Sequence, residues 1–199
     1  MFVVDDDESV RRAFARRLRA AGYAAQAFGS AMELLEQAPA DGVACVVTDL
    51  RMPGMSGLDL QASLVASGRD WAMVFVSGHG DVATSVNAMR SGAVHFLTKP
   101  VSERDLLAAV GEALAIGAHR ASERNAVAKV RDGYAALTAR EREVFALVVE
   151  GLMNKVIAER IGAAEKTVKI HRARVMAKMG ARSLADLVRM AARLRPSGL

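Results

Sequence analysis

Cysteine is nearly absent from this chain of 199 residues, which contains Cys45 alone. A single thiol cannot form an internal disulfide, so disulfide-stabilised folds are excluded. Cys45 lies within the apolar segment GVACVV, where a small buried side chain is favoured over a reactive thiol.

Long hydrophobic runs are also lacking, because no uninterrupted apolar segment approaches the roughly 18 residues that a membrane span needs. The beginning, MFVVDDDE, does not have the basic region and long apolar stretch of a secretory signal. A phosphate-binding loop of the form GxxxxGK[ST] is absent, which argues against a nucleotide-binding switch. These absences predict a globular, cytoplasmic protein with no membrane partner.

Charge is present but unevenly distributed along the chain. Residues 1–115 contain 10 Lys/Arg and 14 Asp/Glu, whereas residues 116–199 contain 17 and 8. A mildly acidic half followed by a strongly basic half indicates that only the second half contacts a polyanion such as DNA. A basic surface that is merely solvated is the alternative at this point.

Short apolar segments and amphipathic segments alternate through residues 1–115. Segments that are apolar throughout are typical of parallel strands covered on both faces. Five strands separated by helices predict a doubly wound α/β domain, which binds ligands at the carboxyl ends of its strands. The predicted strands are Phe2–Val4, Tyr23–Phe28, Val43–Val47, Ala72–Val76 and Val94–Leu97, and the predicted helices are Val10–Ala21, Ala31–Gln37, Leu58–Val65, Val82–Arg90 and a long helix from Glu103.

Polar side chains follow four of these strands, and the doubly wound topology brings them to one edge of the sheet. Each alone could be a helix cap, a turn residue or a solvated lysine, but four independent coincidences are not expected. Clustered carboxylates repel one another unless a cation lies among them, and their oxygen atoms favour Mg²⁺ as that cation. A carboxylate beside Mg²⁺, a lysine and a hydroxyl can act as a nucleophile that attacks phosphorus. The residues are Asp5, Asp6 and Asp7, which directly follow the first strand, Asp49 at the end of the third, Ser77 at the end of the fourth and Lys99 at the end of the fifth.

The segments VVDDDE, VVTDLRMPGMSG, VFVSGHGD and AVHFLTKP resemble, in this order and spacing, the receiver domains of response regulators, particularly the FixJ branch. The resemblance implies a five-stranded flavodoxin-like fold in which Asp49 accepts a phosphoryl group from a sensor histidine kinase. It implies that Lys99, followed by a cis-Pro100, and Ser77 contact the phosphoryl group, and that Phe96 is a switch residue that turns inward. It also implies a Mg²⁺ site made by Asp5, Asp6, Asp49 and the backbone carbonyl of Arg51.

Two positions near this pocket allow alternative interpretations. Asp7 is a third acidic residue, so the assignment of magnesium ligands to Asp5 and Asp6 could slip by one position. His79 lies two residues after Ser77 and either restricts attack of water on the phosphoryl group or is an ordinary loop histidine.

Residues 137–194 contain no convincing strand and predict a compact domain of four helices. The helices are Ala139–Glu150, Asn154–Ile161, Glu165–Met179 and Leu184–Arg193. Gly151, Gly162 and Gly180 fall where helix C-termini need a left-handed residue. The third helix is crowded with basic residues, and a short helix and a tight turn precede it, which suits insertion into the DNA major groove.

The segment from Leu137 to Ala191 resembles the LuxR/NarL-type helix-turn-helix domain along its whole length, again nearest the FixJ branch. One departure is Ala163-Ala164, which stands where a side-chain cap is usual for the third helix. The resemblance implies base contacts from Lys169, Ile170 and Ala173. It implies phosphate contacts from Lys166, Thr167, Arg172, Arg174 and Lys178, with Asn154 and Lys155 from the preceding helix; for Thr167, packing or capping is an equal alternative.

We therefore predict a receiver domain (1–115), a helical linker (116–136) and an all-α, four-helix helix-turn-helix domain (137–199), with a flexible tether as the alternative linker. Phosphorylation of Asp49 would favour a homodimer that binds double-stranded promoter DNA, with RNA polymerase as a further candidate partner. An enzyme is not expected, because no residues remain for a substrate site. The serious alternative is a DNA-binding regulator whose receiver dimerises without phosphorylation.

Overall fold

The computed structural model describes residues 1–39, 42–78 and 82–194, with the backbone alone for residues 82–84. The chain divides into two compact units, Met1–Ser122 and the part that begins at Glu123. The first unit contains β1 (Phe2–Val4), α1 (Glu8–Ala20), β2 (Gln26–Phe28), α2 (Ala31–Gln37), β3 (Cys45–Asp49), α3 (Gly57–Ala66), β4 (Ala72–Ser77), α4 (Val82–Arg90), β5 (His95–Thr98) and the first part of α5 (Glu103–Ala135).

The five strands form one parallel sheet in the order β2-β1-β3-β4-β5, so the predicted doubly wound fold is confirmed. The central strands β1, β3 and β4 are buried along their whole length, which explains why their sequences are apolar throughout. The edge strands β2 and β5 are more exposed. Because chain order reverses beside β1 and β3, the switch point of the fold lies at the carboxyl ends of these strands.

Alternating side chains divide the core of the first unit into two apolar layers. Val3 and Val47 face one layer, which contains Leu18 of α1 and Leu106 of α5. The other layer lies on the opposite face, where strand residues pack against α2, α3 and α4. This two-residue period is the geometry that a strand imposes on its neighbours. The residues of the second layer include Phe2, Val4, Val46, Phe75, Leu34, Leu60, Leu64 and Ala88.

Three predicted strands were wrong at their beginnings, the fifth by one residue, since it starts at His95 rather than Val94. The second strand starts at Gln26 rather than Tyr23, because the chain turns after α1 and the Tyr23 N–H donates to the carbonyl of Leu18. The third strand starts at Cys45 and ends at Asp49, since Val43 is 48% exposed and lies outside the sheet. Asp49 is therefore the last residue of β3 itself.

Helix α5 continues without a break through the predicted start of the linker at residue 116. A Cβ added to Gly117 would lie 3.5 Å from Val43 Cγ1 and 3.6 Å from Ala72 Cβ, so this turn of α5 packs on the segment before β3 and on the beginning of β4. Arg120 lies 3.5 Å from Asp70. These contacts keep the helix with the first unit beyond residue 115.

The second unit contains the end of α5, α6 (Ala139–Val149), α7 (Asn154–Ile161), α8 (Glu165–Met179) and α9 (Leu184–Leu194). Thr138 and Glu141 form a capping box that fixes the start of α6. Gly162 and Gly180 end α7 and α8 in the left-handed conformation, as predicted. No helix of the described residues has the length and hydrophobicity needed to cross a bilayer.

Candidate functional sites

A pocket at the carboxyl ends of the strands brings together side chains from β1, β3 and β5. The Lys99 Nζ atom lies 2.8 Å from Asp5 Oδ2 and 3.0 Å from Asp49 Oδ1, so one ammonium bridges two carboxylates. Both carboxylates are buried, whereas the Lys99 side chain is 28% exposed. The peptide bond before Pro100 is cis, as the resemblance implies. Three residues distant in sequence therefore share one site that opens to solvent on the lysine side.

Backbone N–H groups complete the surroundings of the two carboxylates. The Arg51 N–H donates to Asp49 Oδ2 at 2.9 Å, and the Asp7 N–H donates to Asp5 Oδ1 at 2.9 Å. Burial raises the pKa of the Asp5 carboxyl, against the hydrogen bonds from Lys99 and the Asp7 N–H. For Lys99, burial lowers the pKa, but the hydrogen bonds to Asp5 and Asp49 outweigh it and raise the pKa overall. The ammonium therefore stays charged at neutral pH.

The three consecutive acidic residues after β1 have different surroundings. Asp7 is the N-cap of α1, and its carboxylate accepts hydrogen bonds from the Ser9 and Val10 N–H groups. The hydrogen bond from Ser9 lowers the pKa of Asp7. Asp6 is exposed, and Asp5 is buried against Lys99. The cap thus engages the Asp7 carboxylate in the start of α1, whereas the Asp5 carboxylate contacts Lys99 in the pocket.

Arg11 supports this acidic loop and was not identified from the sequence. Its Nη1 atom donates to the carbonyl of Asp5 at 2.7 Å and lies 3.4 Å from the carbonyl of Asp6. Arg11 lies in the first turn of α1, where a cation is unusual because it faces the positive end of the helix dipole. An arginine so close to a predicted helix start could therefore have indicated, from the sequence alone, that its side chain has a partner in the preceding loop.

The donor set suits Mg²⁺, although no three His, Cys, Asp or Glu side chains of the described residues converge as metal ligands. Mg²⁺ keeps several waters and is usually held by one or two carboxylates together with phosphate oxygens, so three protein acids are not required. Asp5 and Asp49 already share a cation, the Lys99 ammonium, which demonstrates that their oxygens face a common space.

Ser77 and Phe96 lie beside the pocket on β4 and β5. Ser77 is buried as the last residue of β4, and its carbonyl accepts a hydrogen bond from the Lys99 N–H at 2.8 Å. Phe96 pairs in register with Phe75 and is half-buried against the apolar layer of α2, α3 and α4. His79 lies outside the described residues.

Gly57 was missed by sequence reasoning and approaches the backbone of the pocket closely. A Cβ at this position would lie 2.5 Å from the Asp49 carbonyl oxygen and 2.9 Å from Phe75 Cε1. The Gly57 N–H also donates to the Leu50 carbonyl at 3.0 Å. The first residue of α3 is thus held directly against the end of β3, and only glycine fits there.

The basic helix α8 has one buried face and one polar, basic face. Val168, Val175 and Met179 are buried in the core of the second unit. The exposed face carries most of the predicted DNA-binding residues, and Ile170 is a 46% exposed apolar side chain among them. Helix α8 begins at Glu165, and the preceding N-cap residue Ala164 provides no side-chain cap, in agreement with the Ala163-Ala164 departure. The exposed predicted residues are Lys166, Thr167, Lys169, Ile170, Ala173, Arg174 and Lys178 on α8 and Lys155 on α7.

Three of the predicted phosphate-binding side chains have partners within the unit. The Arg172 guanidinium donates to Asn154 Oδ1 at 3.1 Å, which joins α8 to the start of α7. The Lys178 ammonium lies 2.7 Å from Glu141 Oε2 and donates to the Ala136 carbonyl at 3.0 Å. Lys178 therefore has partners other than the predicted phosphate, because it lies beside the buried Glu141.

Glu141 is a buried carboxylate that sequence reasoning did not single out. Its side chain is 3% exposed and accepts hydrogen bonds from Lys178 and from the Thr138 N–H. The Lys178 hydrogen bond, followed by that of Thr138, lowers the pKa of Glu141 to about 2. The sequence signal was the capping-box pattern Thr-x-x-Glu at residues 138–141.

Comparison with known proteins assigns each part of the chain to a family. Residues 1–111 match the response regulator receiver domain family, and residues 135–191 match the luxR family of bacterial regulatory proteins. The chain is 45% identical to nodulation protein W of Bradyrhizobium diazoefficiens over 190 residues, 96% of this chain and 84% of that protein. It is 42% identical to the transcriptional regulatory protein FixJ of Azorhizobium caulinodans over 189 residues, 95% and 90% of the two chains. The solved structure of response regulator StyR matches with a TM-score of 0.87 and 43% identity, over 96% of this chain and 97% of that one.

Proposed function

Since this chain belongs to the two-component response regulators that carry a LuxR-type DNA-binding domain, we propose that Asp49 is its phosphoacceptor. A partner histidine kinase supplies the phosphoryl group, and the phosphorylated protein dimerises and binds promoter DNA to regulate transcription in the cytoplasm. The observation that carries this proposal is the Lys99 ammonium that bridges Asp5 and Asp49 at the switch point of the sheet. Regulation, rather than turnover of a substrate, is the proposed role.

The transfer step needs a nucleophile, a leaving group and charge compensation. A carboxylate oxygen of Asp49 attacks phosphorus, the P–N bond of the kinase phosphohistidine breaks, and the histidine nitrogen keeps the electron pair. Lys99 compensates the charge on the phosphoryl oxygens, and the Arg51 N–H holds the other carboxylate oxygen in place. Mg²⁺, which Asp5, Asp6, Asp49 and the Arg51 carbonyl would bind, supplies further positive charge to those oxygens.

Phosphorylation acts in this proposal as a population shift between two receiver states. Ser77 turns to hydrogen-bond the phosphoryl group, and Phe96, half-buried on the neighbouring strand, moves inward. This rearrangement alters the surface of α4, β5 and the first part of α5, through which two receivers pair. Two DNA-binding units can then occupy a two-fold site.

The exposed face of α8 reads the DNA. We assign base contacts to Lys169, Ile170 and Ala173, as the family resemblance implies, because all three are exposed on α8. Lys178 is left out of the phosphate contacts, since its ammonium pairs with the buried Glu141 carboxylate, whereas Arg172 contacts only the neutral amide of Asn154. RNA polymerase remains a candidate partner at the promoter. The phosphate contacts are Lys166, Thr167, Arg172, Arg174, Asn154 and Lys155.

A test of phosphorylation-dependent pairing is the solution mass of the full chain with Mg²⁺ alone and with Mg²⁺ plus beryllofluoride, which mimics an aspartyl phosphate. We expect light scattering to show a monomer that becomes a dimer with beryllofluoride, and no change for Asp49→Ala. If wild type and Asp49→Ala are both dimers in every buffer, the receiver pairs without phosphorylation, and the alternative regulator replaces this proposal.

A second test separates phosphate contacts from base contacts on α8. We expect Arg174→Gln to weaken binding to a selected duplex and to an unrelated duplex alike. The magnitude of the slope of log K against log salt concentration, here called the salt slope, should fall by about 0.9. Ile170→Ala should weaken binding to the selected duplex alone, by roughly tenfold. Arg160→Gln is the matched control, because this exposed arginine on α7 pairs with Glu150 and is not a proposed contact. Equal slopes for wild type and Arg174→Gln would remove Arg174 from the interface.

A further inference from the structure

The C-terminal end of α8 is hydrogen-bonded to the junction between α5 and α6 through Lys178. The Lys178 ammonium donates to the Ala136 carbonyl, which lies in the short connection after α5, and to Glu141 in the first turn of α6. Lys178 and Glu141, with the Ala136 carbonyl and the Thr138 N–H, are here called the α8 anchor. All four residues belong to the second unit.

The anchor carboxylate is held from two sides. Glu141 Oε2 accepts from Lys178 Nζ at 2.7 Å and from the Thr138 N–H at 2.9 Å. Because the Glu141 side chain is 3% exposed, it cannot turn to solvent, and the charge that it presents to Lys178 is fixed in place. The Lys178 ammonium is thereby paired with a fixed carboxylate, although the lysine side chain itself is 36% exposed.

A close backbone contact reinforces the anchor. A Cβ added to Gly133 near the end of α5 would lie 2.9 Å from the Lys178 carbonyl oxygen and 3.3 Å from Met179 Cα. The two helices thus touch through their backbones at this point, which only glycine allows. The position of the α8 end is therefore set by α5 as well as by Glu141.

The opposite end of α8 lacks a comparable attachment. Helix α8 starts at Glu165, and its N-cap residue Ala164 makes no side-chain cap hydrogen bond. Within the residues that the structure describes, Arg172 and Lys178 are the α8 side chains that reach another element by a polar contact. Arg172 is itself a proposed phosphate contact, so Lys178 is the attachment that DNA binding leaves undisturbed.

We infer that Glu141 and Lys178 are positioning residues that set the pose of α8 for base recognition, and that Lys178 is not a phosphate contact. This inference rests on the proposed function, in which α8 reads DNA. Base readout tolerates only small displacements of its side chains, whereas attraction to phosphates does not depend on fine geometry. Loss of the anchor should therefore reduce sequence discrimination and leave general DNA attraction unchanged.

The experiment compares full-length wild type, Glu141→Gln, Lys178→Met and the double variant on two duplexes of roughly 30 base pairs, which hold two half-sites. One duplex is selected from a random pool by the wild-type protein, and the other is its scrambled counterpart. Affinities are measured over a range of salt concentrations. We expect each single variant to lose about tenfold in affinity for the selected duplex, with less than about twofold change on the scrambled one.

The double variant should lose no more than either single variant, because both changes remove the same contact. The salt slope of Lys178→Met should equal that of wild type. A slope reduced by about 0.9, with equal weakening on both duplexes, would show that Lys178 binds phosphate and would overturn the inference. Wild-type affinity in Glu141→Gln would overturn it as well.

Two further variants separate this inference from folding and from the proposed function. Gly133→Ala keeps every charge but displaces the end of α8, so it should lose selectivity at an unchanged slope; circular dichroism checks that each variant remains helical. Arg174→Gln reports on the DNA interface itself. If the wild-type protein selects no duplex from the pool, the proposed function fails. If Arg174→Gln lowers the salt slope while Glu141→Gln and Gly133→Ala bind both duplexes as wild type does, only the anchor inference fails.

Discussion

Replacement of Asp49 by asparagine is expected to abolish phosphorylation completely. Asparagine keeps the shape of the side chain but does not provide the carboxylate nucleophile that Lys99 and the Arg51 N–H surround. Incubation of the full chain with Mg²⁺ and an acyl phosphate donor should add one phosphoryl group to wild type and none to Asp49→Asn. Intact-protein mass spectrometry measures the difference directly.

The matched control for this result is Asp7→Asn, a change of the same chemistry at the start of α1. Asparagine is as good an N-cap as aspartate, so the helix start should be preserved. We expect Asp7→Asn to be phosphorylated like wild type. Phosphorylation of Asp49→Asn would identify a different acceptor, and loss of phosphorylation in Asp7→Asn would move the magnesium ligands by one position.

Gly57→Ala is expected to destabilise the first unit by about 3 kcal/mol, at the upper end of what overpacking usually costs. The new methyl group would lie 2.5 Å from the Asp49 carbonyl oxygen, and a backbone atom cannot move aside as a flexible side chain can. Trp71 is the only tryptophan of the chain and is buried in this unit, so its fluorescence during urea unfolding reports on the first unit alone. The midpoint should fall at an unchanged slope.

Gly111→Ala serves as the control in the same unit. Gly111 lies inside α5, and a Cβ there meets no atom within 4 Å. The substitution should therefore stabilise the helix, by roughly 1 kcal/mol at most. Equal unfolding midpoints for Gly57→Ala and wild type would mean that α3 can shift away from β3 without cost, contrary to the packing argument.

The sequence was informative about the fold because strands that are buried on both faces consist almost entirely of apolar residues. β1, β3 and β4 lie between two layers of helices and must be apolar on both faces, and their uniform hydrophobicity predicted a parallel sheet. The edge strand β2 was harder to delimit, since its partly exposed residues do not form such a pattern. The topology then placed Asp5, Asp49 and Lys99 at one edge.

The pattern of charges could not reveal which cations are already paired inside the protein. Lys178 and Arg174 look alike on a basic helix, but Lys178 lies beside the buried Glu141. Pairing depends on a residue 37 positions away, and no local rule connects the two. Gly57 was missed for a similar reason, because its need for a small side chain comes from the backbone of another element. The roles of the individual pocket and DNA-binding residues remain predictions.

The strongly lowered pKa of Glu141 has a physiological consequence. A glutamate in an unfolded chain titrates near pH 4.3, and this one titrates at about 2 when folded. Its stabilising contribution is therefore fully present above about pH 4.3 and disappears only as the pH falls through about 2. Mild acidification therefore leaves this ion pair intact, and above about pH 4.3 the second unit should not sense pH through Glu141.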